Sequence, residues 1–354
     1  MTPRNPYQYN YPDTLADDLD GPEHMADDDL WFLPGPPEEE PDYLPPGPRA
    51  GPSEASTFNE WQAAEAGLAA RLARVAGRLG ALDDRLHRAP EGWRQRLALI
   101  EAAELSRFVG DRITSDRIGL WVALRLSGMQ EDTAALASVG WAVRRLTNGP
   151  DPEANLADFL GRQEPMSAEY GAEPFSDRSG SWLDMMAAAK ALHPISRACM
   201  GYHLWSLAGL GQHGDRMEAA VTASRIAASD GKGAVFAPLA MGGAGALRAG
   251  GRPLQRLTRW LDGMEHATLT AMRHLDDIEA WSARAEMVMA KLSGRTPTAL
   301  RAVLTEWPLV SAPMAEALTG ASRAAVQRNL SWMEDRGLIR EMTGQGRFRM
   351  WRLA

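Results

Sequence analysis

Ser322-Arg323-Ala324-Ala325-Val326-Gln327-Arg328-Asn329-Leu330-Ser331-Trp332-Met333-Glu334-Asp335-Arg336-Gly337 is the stretch that decides how this chain is read. Ser322 offers the side-chain oxygen of a helix N-cap, and Gly337 the left-handed conformation at which helices stop. Between them Val326, Leu330 and Met333 recur at i, i+4 and i+7, the apolar stripe of an amphipathic helix. The opposite face carries Ala324, Arg328 and Ser331, with Gln327 on its flank and Arg323 in the first turn. Arg and Gln match the edges of guanine and adenine in the major groove, and a small residue between them permits close approach. The spacing predicts a recognition helix.

The flanks extend that reading. Upstream, Leu300, Val303, Leu304 and Trp307 mark a helix over Pro297 to Glu306 that Pro308 ends, because proline disfavours helical geometry in the residue before it. Ser311, two residues before Pro313, caps a second helix carrying Met314, Ala315 and Leu318 and closing at Thr319-Gly320. Downstream, Leu338 to Met342 and Arg347 to Trp351 alternate at period two around Thr343-Gly344-Gln345-Gly346, which predicts a two-stranded hairpin with Phe348 and Met350 on one side and Arg347 and Arg349 on the other. Helix, helix, turn, helix and a two-stranded wing is the order of a winged helix-turn-helix. From Arg295 onward nine Arg stand against five acids, a local net charge of +4 on a chain of net −8. The expected partner is double-stranded DNA, with Arg323, Gln327, Arg328 and Ser331 in the major groove and Arg347 and Arg349 on phosphates or in the minor groove. Pairing of half-sites adds a homodimer to the expectation.

Residues 1 to 56 are of another kind. They hold thirteen Asp and Glu against two Arg, and twelve of the 23 prolines. Such a segment buries too little to offset the cost of ordering, so a disordered acidic tail is expected. Its Asp27-Asp28-Asp29-Leu30-Trp31-Phe32-Leu33 run sets an aromatic cluster against acids and suggests a docking site for a protein partner. No run reaches the ~20 apolar residues that span a bilayer, so a cytoplasmic location and no membrane partner are expected. The single cysteine, Cys199, excludes an internal disulfide, and the seven histidines show no zinc spacing, so neither a metal nor a cofactor is expected.

Between residues 57 and 292 the chain is read as helix almost throughout. Trp61, Leu68, Leu72, Val75, Leu79, Leu82 and Leu86 predict one long helix from Asn59 to about His87. Pro90 opens a second reaching Val109, and Thr114-Ser115-Asp116 caps a third with Ile118, Trp121, Val122 and Leu126. Further helices are expected over Glu131 to Thr147, Pro152 to Gly161, Ser181 to Leu192, Pro194 to Ala208, Asp215 to Ala228, Leu254 to His266 and Leu269 to Lys291. Asp276, Asp277 and Glu279 read as a solvated charged face. The segment Asp230 to Pro253 is rich in glycine, but Gly231-Lys232-Gly233 lacks the earlier Gly and the following hydroxyl of a phosphate-binding loop.

The run Leu97-Ala98-Leu99-Ile100-Glu101-Ala102-Ala103-Glu104-Leu105-Ser106-Arg107-Phe108-Val109-Gly110-Asp111 resembles the N-terminal segment of Fic-type proteins. Trp307-Pro308-Leu309-Val310, Ala317-Leu318-Thr319-Gly320 and Arg340-Glu341-Met342-Thr343-Gly344 are similar to the winged helix that closes many Fic-type chains. Thr343 to Trp351 also resembles the Thr-Gly-x-Gly-Arg-Phe-Arg-x-Trp run of a group of bacterial proteins in which a helical domain of unknown function precedes a helix-turn-helix. Fic enzymes move a nucleotide onto a protein hydroxyl through His-Pro-Phe-x-x-Gly-Asn-Gly-Arg. This chain has His193-Pro194-Ile195-Ser196-Arg197 instead, no Gly-Asn-Gly-Arg, and Val109 where the family's inhibitory glutamate would fall. What the resemblance implies is a degenerate Fic-like domain with no catalytic residues; the alternatives are a diverged nucleotidyl transferase with His193 as base, or a protein-interaction scaffold with a structural winged helix. The expected architecture is mainly α: tail 1–56, multi-helix Fic-like domain 57–292, and a winged helix-turn-helix over 295–354, serving as a transcriptional or plasmid-maintenance regulator.

Overall fold

Leu72, Val75, Leu79, Leu82 and Leu86 recur every three or four residues, and all five are buried along helix α2 (Ala69–Arg88). The structure, a computed structural model, describes residues 54–124, 132–162, 174–210, 216–248, 250–346 and 348–354. The expected acidic tail and its aromatic cluster lie outside the described residues as far as residue 53, as does Leu126. The expected single helix from Asn59 is two, α1 (Glu54–Gly67) and α2, meeting at Leu68, where φ −113° and ψ 13° leave the helical basin. Leu68 N still donates to the Ala64 and Glu65 carbonyls, so the break is a kink and not a loop.

Helix α3 (Gly92–Val109) is covered on most of its circumference, burying Trp93, Leu97, Leu99, Ala102 and Leu105, and it stops at Gly110, whose φ of 109° suits glycine. After it come α4 (Ser115–Leu124), α5 (Thr133–Thr147), α6 (Leu156–Leu160), α7 (Phe175–Ala188), α8 (Pro194–Leu204) and α9 (Arg216–Ala227), of which α4, α5 and α9 pack against α3. Ala219, Ala220 and Ala223 give α9 a small-residue surface that lets α8 approach closely. Cys199 sits fully buried on α8, and burial pushes its thiol well above the usual range.

Helix α10 is one element of 37 residues, Pro253–Met289, where periodicity predicts two helices parted after His266. Ala267 and Thr268 are both buried and neither is a breaker, so nothing interrupts the hydrogen-bond ladder. At 1.5 Å per residue the helix is about 55 Å long. It runs parallel to α2, and the two are laced at spacings of seven: Arg71 to Asp262 at 3.2 Å, Arg78 to Glu265 at 2.6 Å, and Arg85 to Asp276 and Glu279 at 2.7 and 3.1 Å. The acids expected on a solvated face are exposed, yet two of them hold Arg85. Exposed pairs of this kind contribute up to ~1 kcal/mol each, so they align the helices more than they stabilise them.

The chain then forms α11 (Arg295–Glu306), β1 (Val310–Ser311), α12 (Ala312–Thr319), α13 (Arg323–Asp335), β2 (Ile339–Glu341) and β3 (Met350–Leu353). The caps fall where spacing puts them: Ser311 Oγ accepts from Met314 N, Ser322 Oγ from Ala325 N, and Gly320 and Gly337 sit at φ 65° and 64°. Leu318 departs from its expected stripe and is 52 % exposed. The expected two-stranded hairpin is a three-stranded antiparallel sheet, ordered β1-β3-β2, in which Val310 pairs with Trp351 and Ile339 with Leu353. Its second long strand also starts later than expected. The Glu341 carboxylate accepts from Thr343 N, Thr343 Oγ1 and Gly344 N, which turns the chain early, and Phe348 takes φ 58° with three-quarters of its surface exposed. Phe348 and Met350 therefore do not share a strand face.

Two cores result. Trp281, Ala285 and Met289 at the end of α10 join Leu300, Leu304, Val326 and Leu330 in a second cluster apart from the body's. Trp281 Nε1 donates to the Leu338 carbonyl at 2.7 Å across that cluster. Trp281→Phe removes this donor and part of the indole volume, while the Leu338 carbonyl keeps the Ala354 N–H at 3.0 Å, so the lost bond and the smaller ring together are expected to cost about 1–2 kcal/mol in urea unfolding. Among the described residues no helix is long and apolar enough to cross a membrane.

Candidate nucleic-acid interface

One side of α13 is fixed by the burial of Val326, Leu330 and Met333, all at zero exposure. That anchoring turns Arg323, Ala324, Gln327, Arg328 and Ser331 outward, and all five are exposed. Arg323 Nε lies 4.0 Å from Glu316 Oε1 on α12, a loose contact at three-quarters exposure. Gln327 and Arg328 have no side-chain partner among the described residues. The face thus offers a fork and an amide in contact with solvent alone, and a ligand can engage them without breaking an internal bond.

Of the two basic residues expected on the hairpin, Arg347 lies outside the described residues. Arg349 is half-buried, pairs with Glu334 at 3.1 Å and covers the Trp351 ring at 4.8 Å. Trp351 Nε1 also donates to Glu334. Glu334 thus ties β3 to α13, and Arg349 is a brace between strand and helix and not a free cation. Period-two alternation placed it correctly off the Met350 side but could not supply Glu334.

The α11–β3 segment sits on the body through Arg96 of α3. Its guanidinium donates to the carbonyls of Leu304, Glu306 and Trp307, which are carbonyls at the end of α11. Burial lowers the Arg96 pKa to about 10 and leaves it charged at neutral pH. Gly92 makes the approach possible, since a Cβ there would stand 2.5 Å from the Glu306 oxygen. Leu120, Leu309 and Met350 close a small apolar contact beside it, and Arg352 reaches Asp116 at 3.4 Å. None of these contacts is visible as a motif; the only local signal is an Arg set between Trp93, Leu97 and Ile100 on an otherwise apolar stripe.

In the body, the glycine-rich segment is held by the protein's own carboxylates. Asp83 accepts from the amides of Lys232, Gly233 and Ala234 at 2.7 to 3.2 Å, so the Gly-Lys-Gly turn already holds an anion. Burial raises its pKa, and the three amides more than offset that, leaving the carboxyl below its usual value. Glu101, fully buried on α3, accepts from Leu239, Ala240 and Met241 at 2.8 to 3.1 Å. Burial pushes this carboxyl up to about 7, against the pull of the same three amides. His193 caps α8, its Nδ1 accepting from Ile195 N at 3.2 Å, while Glu65 accepts from His193 N. With Nδ1 occupied as an acceptor, the neutral ring carries its proton on Nε2. Burial also lowers its pKa.

No known family model matches this chain, and no curated protein matches it.

Proposed function

We propose that this chain binds duplex DNA through α12 and α13 as a winged helix-turn-helix, acting as a transcriptional or plasmid-maintenance regulator, with two copies pairing half-sites. The observation that carries the reading is the outward side of α13, where Gln327, Arg328 and Ser331 stand exposed away from a fully buried stripe and Arg323 is exposed at the start of the helix. Arg328 is the leading base-reading candidate, because an Arg fork on guanine is the commonest specific contact and nothing internal competes for this one. Gln327 suits adenine, and Arg323, in the first turn, suits a base or a phosphate. The loop between β2 and β3, which carries Arg347, takes the place of the wing.

Selection of bound sequences from a random duplex pool, at two salt concentrations, tests this. Wild type is expected to enrich one motif with affinity falling steeply as salt rises, and Arg328→Ala to weaken that motif by about 1–3 kcal/mol and relax preference at one position. Enrichment with Arg328→Ala indistinguishable from wild type would remove α13 as the reading helix. Comparison with residues 57–354 shows whether the acidic segment competes for the same face.

A further inference from the structure

The glycine-rich segment makes three close turns against the body, and the third differs from the others. The amides at 232–234 and at 239–241 hold Asp83 and Glu101. The turn at 242–245 instead opens on a cleft of about 420 Å³ between the loop and α10, whose walls include Arg248, Arg259, Asp262 and His266. Asp262 is the acid of this set and is already paired with Arg71. Arg248 is exposed and has no partner among the described residues. Arg259 donates one Nη to the Gly250 carbonyl, and its buried Nε has no acceptor. His266 Nε2 lies 3.2 Å from the Gly242 carbonyl at the rim.

The glycines separate in the same way. A Cβ on Gly242 would stand 2.7 Å from His266 Nε2, and one on Gly263 would stand 2.3 Å from Ala246 N, so packing accounts for both. Gly243 and Gly245 have nothing within 4 Å of the place a Cβ would occupy. Gly243 has φ 128°, a conformation only glycine takes readily, whereas Gly245 lies outside the left-handed region and answers to no neighbour. Its bare backbone keeps the floor of a cationic cleft clear.

We propose that this cleft binds a small molecule bearing a phosphate group. Arg248 and Arg259 take the phosphate oxygens, and the chain at Gly243 to Gly245 lets the ligand approach the backbone. Planar guanidinium forks match the several oxygens of a phosphate and bind it in bidentate fashion. The volume suits a ligand the size of a sugar phosphate or a mononucleotide.

Pyrophosphate titrated calorimetrically into the full-length protein at constant ionic strength tests the site, with citrate as a carboxylate comparator. Saturable uptake is expected, at least tenfold tighter than citrate. Arg248→Ser, which removes no internal contact, and Gly245→Glu, which places a carboxylate in open space, are each expected to weaken it at least tenfold. Arg88→Ser, on exposed α2 surface, leaves it unchanged. Uptake that is not saturable, that is equal in all variants, or that citrate matches would overturn the proposal.

Discussion

Arg96→Met is expected to release the α11–β3 segment from the body. The substitution keeps most of the volume and removes every donor from three carbonyls at the end of α11. Each orphaned buried acceptor costs about 1–3 kcal/mol, against which the relief of burying one cation is set, so a net loss of about 3–5 kcal/mol is expected. Arg96→Lys should fall between, since a single ammonium cannot reach three carbonyls as a planar fork does. Hydrogen exchange resolves where the loss falls: amides of α11 to α13 should lose protection before those of α3 and α9. Equal protection in wild type and the Met variant would show that Leu309, Gly92 and the Asp116 pair hold the contact without Arg96.

Glu101→Ala is expected to cost about 3 kcal/mol or more, because the amides of Leu239, Ala240 and Met241 lose their acceptor inside the core. Its titration gives a second, independent readout. Between its ordinary value of 4.5 and the folded value of about 7, the folded protein keeps a proton that the unfolded chain has released. The stability tied to this group is then full below pH 4.5 and lost as pH rises through 7, up to about 3 kcal/mol in all. Glu101→Gln is neutral throughout and should abolish that slope, although its amide nitrogen must face an N–H donor and lowers stability at every pH. Urea midpoints of wild type and Glu101→Gln between pH 4.5 and 8 check this. Parallel profiles would mean that the amides keep the carboxylate ionised in the fold.

The C-terminal helices were legible because their information is local. Ser311 and Ser322 cap within three residues, Gly320 and Gly337 stop at once, and Val326, Leu330 and Met333 declare a face at helical period. The outward residues follow from that face by geometry. What sequence could not give depends on distant partners. Strand β1 is two residues long and exists as a strand only because Trp351 passes beside Val310. Phe348 sits in a strand-like alternation, yet the Glu341 turn places it in a left-handed conformation outside the sheet. Glu101 reads as one polar residue in the apolar run from Leu97 to Ala103, and the amides it holds lie 138 to 140 residues away. The same holds for Arg96, whose acceptors are more than 200 positions downstream.

Helix α10 begins beside the body's glycine-rich cleft and ends as one wall of the second core, through Trp281, Ala285 and Met289. The last sixty residues are therefore no cassette. A fragment starting at the turn after Met289 would leave behind an indole, its hydrogen bond to Leu338 and the floor beneath Leu300 and Leu304. A chimera meant to carry the α13 face onto another protein has to cut upstream of Trp281, inside a helix, and then supply its own continuation of that helix in register. Recombination within such a shaft preserves its phase only when the inserted length keeps Trp281 pointing at the same side, so grafts differing by one residue in length should behave very differently, about 100° of rotation apart.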